Sequence, residues 1–461
     1  MRGALAAGHP LTVEAGADVL RAGGNAVDAC IAAAAVSWVC ESSLTGLGGG
    51  GFLLVHEAGE ARTRLLDFFV TVPERPAPPE ELIDVWVDFD GDTRQLFHTG
   101  PAATAVPGAP LGLWEAHRRF GSVPWAELLA PAVRLAREGV VLNEAQAYLH
   151  RILDPLLRSS PEGDAIYGPG RPLEVGERFA VPEFAETLER LAAEGGECIY
   201  RGELAERIAA HVPVTLEDLA RYEVIEREPL AASYRGCEFR TNPPPASGGR
   251  LLAVGLGTLG DLEPTPVAVA RAMEAQADAP AGSILTGTTH ISVVDGNGDA
   301  ASLSCSLGSG SGVVVPGTGI HLNNMLGEVH LAGDVRPGER LNSMMAPSLL
   351  LRNGRPRLVI GSAGSTRLRS AILQVVANVA ARGLGVREAV DAPRIHVEGG
   401  IAHCEDAAAA DELAAADYPV VRWRERNLFF GGVSAVEVLE DGTLAAAGDP
   451  RRGGAEVVVE A

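Results

Sequence analysis

The sequence is short of several features that would fix a function at once. Its six cysteines (Cys30, Cys40, Cys198, Cys237, Cys305, Cys404) show no CxxC spacing, which argues against a zinc knuckle and a disulfide framework. The eleven histidines include no HExxH pattern, so no metal is expected. No G-x-S-x-G elbow is present, which disfavours an α/β-hydrolase. Basic residues number 38 against 60 acidic ones, for a net charge of −22. A surface of that sign repels phosphate backbones and anionic lipid, so neither nucleic acid nor membrane is an expected partner. The longest apolar stretch, Ala29 to Cys40, is too short to span a bilayer. Met1 to Pro10 carries one arginine and no long apolar run, unlike a signal peptide or presequence. The expected location is the cytoplasm.

What is present is a globular composition. The chain has 461 residues, 46% apolar and 21% charged, with 55 glycines and 30 prolines, enough for one large domain or two to three smaller ones. Residues 11–22 have helical spacing and end at Gly23-Gly24. Asn25 is placed to cap a second helix, Ala26 to Cys40, which is apolar on nearly every side and so buried. The glycine run at 48–51 follows a helix rather than a strand, and no Lys-Ser/Thr comes after it, so the nucleotide-binding interpretations fail. A sharp turn between close backbones, or a loop bordering a site, remains.

Strands follow at Phe52 to His56 and Thr63 to Phe69. Residues 110–158, 183–195 and 202–211 read as helices, with Trp114, Phe120 and Trp125 as packing anchors, and 222–240 is strand-like. Residues 260–287, rich in Pro, Ala, Asp, Glu and Gly, are expected to form an exposed connector with a short helical patch at 267–276. Two strands, Thr288 to Asp295 and Ala300 to Ser306, are joined by a Gly296-Asn297-Gly298 turn. The segment 308–312 reads as a flexible turn after a strand. Further strands at 348–351 and 357–360, helices at 367–382 and 386–391, and tail strands at 433–439, 444–447 and 456–460 complete the pattern. It suggests sheets covered by helices on both outer faces.

Thr288 and Thr289 sit where the connector meets a strong strand. β-Propensity alone explains a threonine pair there. A sharper explanation is a latent nucleophile. If the Gly287–Thr288 bond were cut, Thr288 would carry a hydroxyl and a free α-amine. That amine has a pKa of about 7.7–8.0, so it can act as a general base near neutral pH. Glycine at 287 suits the strained backbone of an N-to-O acyl shift.

Several stretches place this pattern in context. They are Gly23-Gly-Asn-Ala-Val-Asp-Ala29, Gly46-Leu-Gly-Gly-Gly-Gly-Phe52, Pro243-Pro-Pro-Ala-Ser-Gly-Gly249, Thr288-Thr-His-Ile-Ser-Val-Val-Asp295, and Gly361-Ser-Ala-Gly-Ser-Thr-Arg367. Two more, Pro316 to Asn324 and Asp391 to His396, extend them. In this order the chain resembles the gamma-glutamyltranspeptidase family of N-terminal-nucleophile hydrolases. The resemblance implies an α+β fold, a four-layer αββα sandwich made as an inactive precursor. Self-cleavage at Gly287–Thr288 would leave a large chain, 1–287, and a small chain, 288–461, that stay associated. Thr288 would attack a γ-glutamyl amide such as glutathione and pass the acyl group to water or an amino-acid acceptor, with no cofactor.

By position, Ser306 matches the family's second threonine, which hydrogen-bonds the nucleophile's amine. Gly364 and Ser365 match its oxyanion pair. Ser343 matches the second serine of the pair that contacts the substrate carboxylate, Asn342 replaces the first, and Glu328 could hold a substrate ammonium. Three departures stand out. Phe69 takes the place of the family's carboxylate-binding arginine, which it cannot imitate. Gly308 stands where the family has asparagine, and Met325 replaces a glutamine. Arg367 is a candidate replacement cation or a structural residue. Two alternatives therefore stay open: an acylase-like enzyme acting on a different amide, and a non-catalytic binding or scaffold relative.

Overall fold

The computed structural model describes residues 2–89, 93–276, 287–327, 336–365 and 367–460. A seven-stranded and a six-stranded sheet form its centre. In chain order their strands are β1 (Gly3–Ala7), β2 (Gly50–Glu57), β3 (Arg62–Phe68), β4 (Ile225–Arg227), β5 (Leu230–Tyr234), β6 (Cys237–Thr241), β7 (Gly287–Asp295), β8 (Ala300–Gly308), β9 (Ser348–Arg352), β10 (Arg355–Ala363), β11 (Gly432–Val438), β12 (Leu444–Gly448) and β13 (Ala455–Val459). The first sheet runs β13-β1-β7-β8-β2-β3-β4 and the second β12-β11-β10-β9-β6-β5. Every neighbouring pair is antiparallel.

The period-2 alternation of a strand sorts the side chains into layers. On β2, Phe52 and Leu54 face the core between the sheets with Leu349, Val359 and Val436. Leu53 and Val55 face outward onto helices α1 (Pro10–Ala22), α2 (Ala26–Cys40), α3 (Ala109–Phe120) and α4 (Trp125–Glu138). The outer face of the second sheet packs, through Phe239, Leu350 and Leu358, on α5 (Gly248–Leu259), α6 (Pro266–Ala275), α7 (Arg367–Ala380) and α8 (Val386–Asp391). The order is helix, sheet, sheet, helix. Helix α2 is buried at every residue, and its start is a capping box in which Asn25 and Asp28 exchange side-chain-to-backbone hydrogen bonds.

Three segments differ from the sequence expectation. The region 110–158 breaks into α3, α4 and shorter helices, because Gly121 and Gly139 end the first two. Its anchors Trp114 and Trp125 meet edge to face at 5.2 Å. The supposed exposed connector begins as a packed helix. Val269, Ala270, Ala272 and Met273 on α6 are buried in the second outer core, and residues 277–286 lie outside the described residues. The serine-glycine segment after β8 is an anchored turn: Ser309 and Ser311 are buried, and their N–H groups donate to Asn324 Oδ1 and Leu322 O. Among the described residues, no helix is long and apolar enough to cross a membrane.

Candidate active site

Strand β7 lies between β1 and β8, with α2 on one face and β10 and β11 on the other. Thr288 is its second residue and is 1% exposed. The ladder to β8 is irregular at this point. Gly287 pairs with Gly308 and Thr289 with Cys305, so two residues of β8, Ser306 and Leu307, oppose the single Thr288. Such a bulge re-aims the side chains around it.

The Ser306 hydroxyl donates to the carbonyl oxygen of Gly287 and accepts from the Gly308 N–H at 2.9 Å. The carbonyl of the bond that would be cut is thus polarised by a buried hydroxyl. Room, rather than a left-handed backbone, demands glycine at 287. A Cβ there would stand 2.3 Å from Gly308 O and 2.8 Å from Leu44 Cα, and Gly287 is not among the positive-φ residues. Backbone crowding also explains the glycine run at 48–51, which borders Ser306: a Cβ on Gly49 would stand 2.3 Å from Ser306 O.

On the second sheet, β10 ends in a turn built from Gly364 (φ 126°) and Ser365 (φ 56°), and α7 begins at Arg367. Their carbonyls accept from the Arg367 and Leu368 N–H groups. A left-handed serine costs about 1–2 kcal/mol, and strain of that kind gathers at functional sites. A positive-φ turn at a helix N-terminus also turns backbone N–H groups toward a developing negative charge. Among the described residues, the Ser365 hydroxyl is buried without a hydrogen-bond partner.

Asn342 and Ser343 lie in the loop before β9, docked on residues 247–248. Asn342 Oδ1 accepts from Ser247 N–H at 3.0 Å, and Ser343 Oγ accepts from Met345 N–H at 3.1 Å. Phe69 is 1% exposed and stacks on Phe52 with ring centroids 5.4 Å apart. Met325, Leu341 and Met345 belong to the same apolar cluster. Two nearby cations are engaged by Asp67: Arg227 Nε donates to it at 2.7 Å, and Arg340 stands 3.4 Å away while covering the Tyr222 ring. Arg367 is buried with its guanidinium over the Phe429 ring at 4.8 Å and its Nε donating to Phe429 O. Glu328 lies outside the described residues.

Two buried groups near Thr288 are not singled out by the sequence. Glu41, just past α2, accepts from the Thr289 hydroxyl at 2.7 Å. The His290 ring lies among Ser292, Ser302 and Ser304, where burial lowers its pKa to about 3. Nothing in the local sequence marks either pairing, since Glu41 and Thr289 are 248 positions apart. The chain also contains no lysine, so every one of its 38 basic residues is arginine.

A four-layer αββα sandwich with a threonine at the head of a central strand defines the N-terminal-nucleophile hydrolase class. The gamma-glutamyltranspeptidase family model matches residues 12–281 and 264–459, and the chain belongs to that family. It is 31% identical to the glutathione hydrolase proenzyme of Pseudomonas aeruginosa, over 99% of this chain and 95% of that protein. It is also 31% identical to the acylase ACY 1 proenzyme of Pseudomonas sp. strain SE83, over 99% and 94%. Among solved structures, cephalosporin acylase from Bacillus halodurans superimposes with a TM-score of 0.85 at 27% identity, covering 100% of this chain and 96% of that one.

Proposed function

We propose that the protein is a zymogen that cuts its own Gly287–Thr288 bond and then cleaves γ-glutamyl amides, glutathione among them, through an ester on Thr288. The observation that carries this is the Ser306 hydroxyl on the Gly287 carbonyl, across the bulge at Thr288. In self-cleavage, Thr288 Oγ bonds to the Gly287 carbonyl carbon, the C–N bond breaks, and the hydroxyl proton ends on the freed amine. Water then hydrolyses the ester, releasing the Gly287 carboxylate and the Thr288 hydroxyl.

In turnover, the Thr288 amine takes the hydroxyl proton as Oγ attacks the substrate carbonyl. The N–H groups of Gly364 and Ser365 hold the oxyanion, and one such donor is worth about 3–4 kcal/mol. The leaving amine departs with the proton, and water or an amino-acid acceptor takes the acyl group. Ser306, freed from Gly287, is placed to hold the new amine, and Asn342 and Ser343 would meet the substrate carboxylate; Glu328, the residue proposed for the substrate ammonium, lies outside the described residues. None of these steps calls for a cofactor. The large chain, 1–287, and the small chain, 288–461, would remain one body, because both sheets take strands from each. Six buried, unpaired thiols fit a reducing compartment such as the cytoplasm.

A second interpretation is favoured by Phe69. Its ring stacks on Phe52 in an apolar cluster, and Asp67 engages the neighbouring arginines, so the acyl group that fits best there lacks the glutamyl α-carboxylate. The test is intact mass followed by two chromogenic anilides, one γ-glutamyl and one with an apolar acyl chain. Two fragments meeting at Gly287–Thr288 and turnover of the γ-glutamyl anilide support the first interpretation. Complete processing with turnover of the apolar anilide alone supports the second. A single 47.9 kDa chain, inert toward both, would leave a scaffold protein.

A further inference from the structure

The segment following α2 lies against the Gly287–Thr288 bond. Leu44 Cα and Ser43 O would stand 2.8 and 3.0 Å from a Cβ on Gly287. Glu41 opens this segment, and its carbonyl accepts from the Leu44 and Thr45 N–H groups at 2.8 and 3.1 Å. Its carboxyl is 1% exposed and joins two hydroxyls: Thr12 Oγ1 donates to Oε1 at 2.9 Å, and Thr289 Oγ1 donates to Oε2 at 2.7 Å. The strand-to-helix turn leaves room for it only because residue 8 is glycine, whose Cβ would stand 2.6 Å from Oε2.

Among the described residues, no cation pairs with this carboxyl. A carboxylate taken out of water without one is costly. An amide could accept a hydroxyl at lower cost, so packing alone does not account for an acid here. The bulge at Thr288 then has two anchors. One is the Ser306 hydroxyl on the Gly287 carbonyl, and the other is Glu41 on the Thr289 side chain.

We propose that Glu41 is a positioning residue for self-cleavage, holding Thr289 so that the bulge presents Thr288 Oγ to the Gly287 carbonyl. The inference rests on the self-cleavage proposed above. Glu41 takes no part in the bond changes; the ionised form accepts from both threonines, and protonation removes part of that grip. Burial raises its pKa to about 7. Of the titratable groups on the elements packed around it, Cys40 on α2 keeps its proton, since burial and the Glu41 charge push the thiol well up. His9, before α1, is neutral above about pH 4. Near pH 7 the charge change at this spot is therefore Glu41's own.

The test is a time course. Full-length chain is made by cell-free synthesis and chased at several values from about pH 5 to about pH 9, and the cut fraction is read by intact mass. Thr288→Ala serves as the uncut control. Cleavage of the wild type at Gly287–Thr288 is required by the underlying proposal, and its failure would end both. Given that cleavage, Glu41→Gln and Thr289→Val should slow it about 10- to 100-fold, while Thr289→Ser retains most of the rate. The wild-type advantage over Glu41→Gln should shrink below about pH 7. Wild-type rates in Glu41→Gln and Thr289→Val across the whole range would overturn this role while leaving self-cleavage intact. Melting curves identify any variant that misfolds, and if Glu41→Gln does, the contrast between Thr289→Val and Thr289→Ser decides.

Discussion

The imidazole of His290 occupies the place where a Cβ on Gly361 would stand, with its Cε1 2.2 Å from that position. Ring nitrogens of the same histidine meet Ser304 Oγ at 2.8 Å and Ser292 Oγ at 3.0 Å. Strands β7 and β10 are thus set against each other through one ring. Thr288 lies two residues before that contact on one strand, and Gly364 lies three residues after it on the other. The spacing of the two halves of the proposed site is fixed there.

Gly361→Ala should therefore force the sheets apart and cost about 1–3 kcal/mol, the usual penalty of overpacking a closed core. Urea unfolding in the uncut Thr288→Ala background measures it. A change of only a few tenths would show that the ring moves aside freely.

Ser306→Ala removes the donor from the Gly287 carbonyl. Self-cleavage should slow about 100- to 1000-fold, the scale of losing one oxyanion donor, while Thr288→Ala should abolish it. Intact mass over a time course reads both. Unchanged processing in Ser306→Ala would remove that hydroxyl from the reaction.

The absence of lysine makes the cut directly countable. Residues 288–461 contain no side-chain amine, so an amine-reactive reagent at neutral pH should add one tag to the small chain, on Thr288, and none to that region of uncut Thr288→Ala protein. Peptide mapping locates the tag. Labelling should also abolish turnover, because the acylated nitrogen can no longer accept the hydroxyl proton.

Acid should destabilise the fold well above the pH at which ordinary exposed carboxylates titrate. Burial lowers the pKa of His9, His150, His321 and His396 to about 4 and that of His290 to about 3. An imidazole with a folded value below its unfolded ~6.5 is protonated first in the unfolded chain. Its contribution is complete above about pH 6.5 and is lost toward pH 4 at about 1.4 kcal/mol per pH unit for each such group. Glu41 acts in the opposite sense: its raised value favours the fold below its unfolded pKa, and that contribution is lost as pH rises toward 7. Burial also lowers His56 and His403 and raises Asp295 and Glu437; with seven such imidazoles against three such carboxyls among the described residues, the urea midpoint of uncut protein should fall between about pH 7 and about pH 5. A flat or rising midpoint would mean that these rings are protonated in the folded state.

Much of the layer order was legible in the sequence. The capped, all-apolar helix Ala26–Cys40, the alternation along Phe52 to His56 and the hairpin around Gly296-Asn297-Gly298 report local physics, and the structure agrees with each. Two small sheets were not legible. The hairpin Ile83–Phe89 with Thr93–Thr99 turns Val87 and Phe97 into the first outer core, but the exposed Ile83 and Trp86 blur that alternation. The strands Ile395–Glu398, Ile401–Cys404 and Val420–Arg422 are three or four residues long. At the site, Thr288 and its proposed partners were marked by motif, whereas the grip of Glu41 on Thr289 is a tertiary event with no local periodicity. The crowding by Leu44 and Gly308 that leaves room only for glycine at 287 is tertiary in the same way.

Strand β1, from the amino-terminal side of the proposed cut, is interleaved between β13 and β7, both from the carboxy-terminal side. Dilution cannot prise apart two polypeptides interlocked through a ladder on each flank. Once unfolded, however, the nicked protein must find its other half by collision rather than by tether. Renaturation of the mature enzyme should therefore depend on concentration, while the uncut Thr288→Ala precursor should regain its structure at any dilution. Making the molecule as one polypeptide and severing it afterwards, as proposed, would join an assembly problem to a folding problem and solve both in a single event.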